Sequence, residues 1–217
     1  MTVRQESPAG PGGPDRIGDM PVRRKSVGRP ARTSLSALLD AAVELGLDRF
    51  TLSAVAKRTG IAEATVYNYV SGRDELYRLA CDRLFAGVTL ETDPAVDSGS
   101  WSDYIDNVSE QAVTLAAAHP GLTEYLFYGP LGPETVRIYR TIVDETMRRC
   151  PVLDANTAYF VASRSFLAAL TLASHPRYHG AGRWLRQALT AGIDTRIAAG
   201  DLPELPGDWT DVLEDLR

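Results

Sequence analysis

Residues 51–73, TLSAVAKRTGIAEATVYNYVSGR, constrain this 217-residue chain more than any other stretch. Val55, Ala56, Ile61 and Val66 are its apolar positions, and Gly60 separates two short helical runs. That spacing suits two helices crossing steeply. Ala56 is small enough for close approach, and Gly60 supplies the left-handed residue that the turn requires. Ile61, Val66 and Val70 pin the second helix from beneath. Such a pair is a helix-turn-helix, whose second helix is built to enter a DNA major groove.

The charge distribution agrees with that reading. Residues 1–85 carry 13 Lys and Arg against 10 Asp and Glu, a net +3, whereas residues 86–217 carry 10 against 18, a net −8. Arg23, Arg24, Lys25, Arg29 and Arg32 lie between Pro21 and Thr33 with no acidic residue among them. A basic front and an acidic rear suit a chain that meets a polyanion at one end. Residues 1–30 are rich in Pro and Gly and read as a disordered basic arm, in which Arg29 of Gly28-Arg29-Pro30 is a candidate for minor-groove or phosphate contact.

The rest of the chain reads as helix throughout, so the expected fold is all-α. A first helix is predicted from Thr33 or Ser34 to Leu47, on the spacing of Leu35, Leu38, Leu39, Ala42, Val43 and Leu47. Thr51 is a good cap for a second helix to Thr59. The recognition helix is predicted over Glu63 to Tyr69, and Ser71 is the expected cap of a longer fourth helix. After a loop at residues 93–100, further helices are predicted from Ser102 to Ala118, over 121–128, from Pro133 to Arg149, from Ala155 to Ser174 behind an Asp154 cap, and from Ala181 to Ala199, with a short one at Trp209–Leu216. No segment alternates like a strand.

Other classes of function find little support. No run of about 18 apolar residues occurs, and no greasy leader opens the chain, so a cytoplasmic protein without membrane attachment is expected. Cys81 and Cys150 are isolated. His175 and His179 stand four apart, but Pro176 and Gly180 oppose the helix that would align them, so no metal is expected. GxSxG, GxGxxG, P-loop and HExxH patterns are absent, so neither a cofactor nor an enzymatic activity is expected.

A helix followed by TLSAVAKRTGIAEATVYNYVSGRDEL and an all-helical remainder resembles the TetR family of bacterial transcriptional regulators. The likeness covers Leu35 to Leu79 closely. It rests on Thr51, Ala56, Gly60-Ile61, Thr65-Val66-Tyr67 and Arg73; Glu63 and Val70 depart from the family's usual residues. The resemblance implies a DNA-binding domain over residues 31–78 and a helical regulatory and dimerisation domain over 79–217. It implies a repressor that binds a palindromic site on double-stranded DNA as a homodimer and is released by a small effector. Thr51, Ser53 and Arg73 are then expected at phosphates, Thr65 and Tyr67 at a phosphate or a base edge, and Glu63, Ala64, Asn68 and Tyr69 at base edges. Either Tyr67 or Tyr69 can equally be a core residue.

The homodimer is expected through residues 155–174 and 181–199. The first of these segments is apolar nearly all round, which equally suits a central buried helix of a monomer. Aromatic residues crowd the same region: Trp101, Tyr104, Tyr125, Phe127, Tyr128, Tyr139, Tyr159, Phe160, Phe166 and Trp184. From these, Tyr104, Tyr125, Tyr128, Tyr159 and Phe166 are taken as candidates to line a pocket for a hydrophobic effector. A helical small-molecule-binding or catalytic protein with a purely structural helix-turn-helix is the alternative.

Overall fold

A computed structural model of the chain describes residues 33–90, 99–178, 181–202, 204–205 and 207–210. The arm at residues 1–30, with Arg29, lies outside them, as do His179 and all but the first two residues of the helix expected at 209–216. Every element among the described residues is helical: α1 Leu35–Leu45, α2 Leu52–Thr59, α3 Glu63–Val66, α4 Arg73–Ala86, α5 Trp101–Ala118, α6 Leu122–Tyr128, α7 Pro133–Arg149, α8 Ala155–Ala173 and α9 Ala181–Ala199, with a 3-10 turn at Pro176–Tyr178. Among those residues no helix is long and apolar enough to cross a membrane.

Local chemistry sets the boundaries. Ser34 caps α1, its hydroxyl accepting from the Ala37 N–H at 3.3 Å, and Gly46 ends it at φ +100°. The helix therefore stops before Leu47, which stays buried in the following loop. Thr51 caps α2 through the Ala54 N–H at 3.1 Å, and Gly60 closes it in the left-handed region at φ +73°. Two expected caps are corrected. Helix α4 begins behind Gly72, and the Glu75 carboxylate reaches back to the Ser71 N–H, so Ser71 is capped and does not cap. Helix α5 begins one residue before Ser102, because Ser100 and Asp103 form a reciprocal capping box.

The recognition helix is also shorter than its sequence suggests. Only Glu63–Val66 is α-helical; Asn68 and Tyr69 then donate to the carbonyls of Thr65 and Val66, a tighter i to i−3 turn that carries the chain to Val70.

Helix α4 joins the amino-terminal helices to the rest. It packs on α1 and also on α6 and α7, so the boundary expected at residues 78 and 79 falls inside one continuous helix. The core follows it: Leu38, Val55, Val66, Leu76 and Ala80 are fully buried, and the same cluster continues through Phe85 to Ile105, Tyr125, Ile138 and Phe166. A second joint lies at the loop after α1, where the Asp48 N–H donates to the Pro120 carbonyl at 3.2 Å. Gly121, at φ +101°, passes so close that a Cβ there would sit 2.8 Å from the Asp48 nitrogen. The Tyr77 hydroxyl donates to the Gly121 carbonyl at 2.6 Å and closes the same joint.

Helix α8 is the central helix of the carboxy-terminal part. It packs on α5, α7 and α9, and Ala158, Val161, Ala162, Ser165, Phe166, Ala169 and Leu170 are buried by those neighbours. Its apolar circumference is thus largely spent within one chain. Helix α9 is more exposed, with Trp184 and Leu189 open to solvent.

Candidate functional site

The helix-turn-helix presents a polar outer face on a buried inner one. Val55, Ala56, Val66 and Val70 hold α2 and α3 against α1, which leaves Thr51, Ser53, Glu63, Ala64, Tyr67 and Asn68 exposed and Thr65 half-buried. Tyr67 stands 54% exposed, the largest outward-facing apolar surface on the motif. Thr51 and Ser53 stand exposed at the start of α2, where the free first-turn N–H groups of a helix suit a phosphate oxygen.

Two of the expected contact residues also have partners within the chain. Tyr69 turns inward: its hydroxyl donates to the Thr33 carbonyl at 3.1 Å and its ring packs against the core. Arg73 is committed to the loop between α1 and α2. Its Nε donates to the Phe50 carbonyl at 3.1 Å, an Nη reaches the carbonyls of Leu47 and Asp48 at 3.4 Å, and the guanidinium lies 4.8 Å from the centre of the Phe50 ring. These bonds tie α4 to the motif through Nε and one Nη, while the other Nη lies 3.9 Å from the Asp74 carboxylate and the side chain stays 42% exposed. Arg58 is likewise paired, with Glu44 of α1.

At the carboxy-terminal end of α4 lies a cavity of about 520 Å³. The end of α4 and the segment after it (Phe85, Val88, Leu90) form one wall, α5 another through Asn107, Val108, Glu110, Gln111, Thr114 and Leu115, and α7 and α8 the floor through Thr135, Ile138, Tyr139, Ile142 and Phe166. Its size falls within the range of small-molecule sites, about 300–1,000 Å³.

Of the five expected lining residues, only Phe166 faces this cavity. Tyr104 is buried beneath the Arg149 guanidinium, 4.9 Å away, and burial pushes its phenol up to about 12. Tyr159 stacks on Trp209 at 5.1 Å. Tyr128 is 75% exposed, and with Tyr125 it borders a separate polar cleft beside Arg73, Tyr77 and Glu124. Sequence periodicity missed Tyr139, Ile138 and Ile142, which recur on one face of α7 and were the available signal.

The cavity wall is bonded directly to α4. The buried Asp82 carboxylate accepts from the Thr135 N–H and the Thr135 hydroxyl, both at 2.9 Å, and from the Glu134 N–H at 3.3 Å, so it caps the start of α7 from the neighbouring helix. The Tyr125 hydroxyl lies 2.9 Å from Thr135 and accepts from the Gly132 N–H at 2.7 Å. Burial raises the Tyr125 phenol to about 12, so it stays protonated. Arg137 adds a bond to the Phe85 carbonyl at 2.9 Å, at the far end of α4.

An exposed short helix on a buried three-helix base, with an apolar cavity at the end of the connecting helix, defines a helix-turn-helix DNA-binding protein. Residues 35–80 match the family model for bacterial regulatory proteins of the tetR family. The chain is 26% identical over 222 residues to an HTH-type transcriptional regulator of Saccharopolyspora erythraea, spanning 96% of this chain and 91% of that one. It is 28% identical over 119 residues to the HTH-type transcriptional repressor DrrR1 of Streptomyces coeruleorubidus, spanning 52% of this chain and 43% of that protein. Its fold is shared with the TetR family protein ActR of Streptomyces coelicolor, solved in complex with (S)-DNPA: TM-score 0.54, 19% identity, 78% of this chain and 97% of that one. Residues 35–80 thus carry the DNA-binding domain of the tetR family of bacterial regulatory proteins, on a fold shared with TetR family proteins.

Proposed function

We propose that the protein is a repressor that binds a palindromic operator as a homodimer and lets go when a small, largely hydrophobic effector fills the cavity at the end of α4. The observation that carries this reading is the joint position of α4. Arg73 at its first residue holds the helix-turn-helix, and Phe85 near its last lines the cavity. An occupant that displaces the cavity wall therefore moves the base of the DNA-reading motif. That ActR is solved with a small molecule bound supports a ligand role for the shared fold.

In this reading Tyr67, Thr51, Ser53 and Thr65 position the motif on phosphates, while Glu63, Ala64 and Asn68 face base edges. Asn68 suits adenine, Ala64 a thymine methyl, and Glu63 the cytosine amino group. Dimerisation through α8 and α9 would cover Phe160, Trp184 and Leu189, which stand exposed on those helices.

Footprinting on the DNA upstream of the protein's own gene tests the proposal. The expected result is one palindromic protected site, bound less tightly as salt rises, because phosphate contacts release counterions. Failure to bind any genomic DNA at low salt would instead leave the motif a structural element of a ligand-binding protein.

A further inference from the structure

The cavity is asymmetric in its chemistry. Asn107, Glu110, Gln111 and Thr114 stand at i, i+3, i+4 and i+7 on α5, so their polar groups share one strip of that helix. The opposite surface is mostly apolar, formed by Phe85, Ile138, Ile142 and Phe166 with the hydroxyl-bearing Thr135 and Tyr139. An occupant that satisfies both walls has an apolar body and a polar group at one edge.

The sign of that polar group follows from the charges. Glu110 is the one ionisable carboxylate among the described lining residues, and no Lys or Arg lines the cavity among them. Glu110 is paired with Arg186 of α9, but the same guanidinium also donates to Asp106 at 2.9 Å. One positive charge thus faces two negative ones. The guanidinium side chain is only 2% exposed and that of Asp106 15%, whereas that of Glu110 is 57% exposed, so of the two carboxylates sharing one guanidinium Glu110 is the one that lines the cavity. An anionic occupant would lose its hydration and meet a carboxylate; a cationic one would find a counter-charge that Arg186 divides between Glu110 and Asp106.

We infer that the effector is an amphipathic cation, a flat or branched apolar body bearing a protonated amine that lies against Glu110. The inference rests on the reading of this cavity as the effector site, and a single set of measurements separates the two. Equilibrium dialysis of the full chain with 1-pyrenemethylammonium, 1-pyrenemethanol and 1-pyrenecarboxylate compares one apolar body in three charge states. The expected order is cation, neutral, anion, with the cation bound at least about tenfold tighter than the anion and its affinity falling as NaCl is added. Glu110→Gln should bring the three affinities together, and Leu115→Trp, which fills the cavity, should weaken all three.

Equal affinities in the unaltered protein that Leu115→Trp abolishes would overturn the charge inference and keep the effector site. No binding of any probe, or binding indifferent to Leu115→Trp, would overturn both. Should a variant fail to fold, the unaltered protein decides: absence of a cation preference, or one that salt leaves untouched, overturns the inference.

Discussion

The two tyrosines of the recognition segment stand in opposite environments, one outward and one tied to the chain. Tyr67 is exposed and Tyr69 is bonded to the Thr33 carbonyl. Tyr67→Ala should therefore lower operator affinity in a gel-shift titration while leaving the melting temperature unchanged. Tyr69→Phe should do the reverse, costing about 1 kcal/mol in denaturant unfolding for the lost hydrogen bond. Sequence spacing could not assign these roles, because it presumed a regular helix to residue 69 and the tighter turn after Val66 rotates the later side chains. Arg73 was legible as important but not for what: three backbone carbonyls converge on it from 23 to 26 residues away, and no local pattern encodes that. Gly121 carries a constraint of the same non-local kind. Gly121→Ala faces both a left-handed backbone and the Asp48 main chain, so it should destabilise by about 1–3 kcal/mol, measured by urea denaturation.

At the scale of helices, the elements were far more legible than their contacts. Helices α7 and α9 run where proline, glycine and apolar spacing put them, because those signals are local. Which aromatic side chains face the cavity was not legible. A segment such as α8, apolar nearly all round, has no preferred phase until its neighbours choose one. The bond between α4 and α7 depends on Asp82, a buried carboxylate that sequence alone reads as surface charge. Asp82→Asn should cost about 1.5–3 kcal/mol by denaturant unfolding, as a charged acceptor of three hydrogen bonds is lost. It should also weaken the effector's control over DNA binding, read as a smaller shift in operator affinity between free and loaded protein. The opposite end of α4 titrates. The Ser71 hydrogen bonds hold the Glu75 carboxyl below its ordinary value. Its contribution is present above the unfolded carboxyl value, about 4.3, and is lost as pH falls through the lowered folded value. A series of melting curves should show stability declining as pH falls from the unfolded value toward the lowered folded one, with a shallower decline there in Glu75→Gln.

For the molecule as a whole, two copies are needed to read a palindrome, and the exposed surface on α8 and α9 is where the pairing is expected. Trp184, 68% exposed, is the test position: Trp184→Glu should shift sedimentation from dimer toward monomer and reduce operator binding in parallel, with the helical content of each chain retained. In the proposed mechanism the length of α4 would set the scale of the response. Its 14 residues make a rod about 21 Å long, so a tilt of about 10° moves its far end by roughly 3–4 Å. Neighbouring base pairs in duplex DNA are about 3.4 Å apart. A shift at the effector end too slight to break any packing would put each reading head a full rung out of step with its half-site, in opposite senses on the two copies.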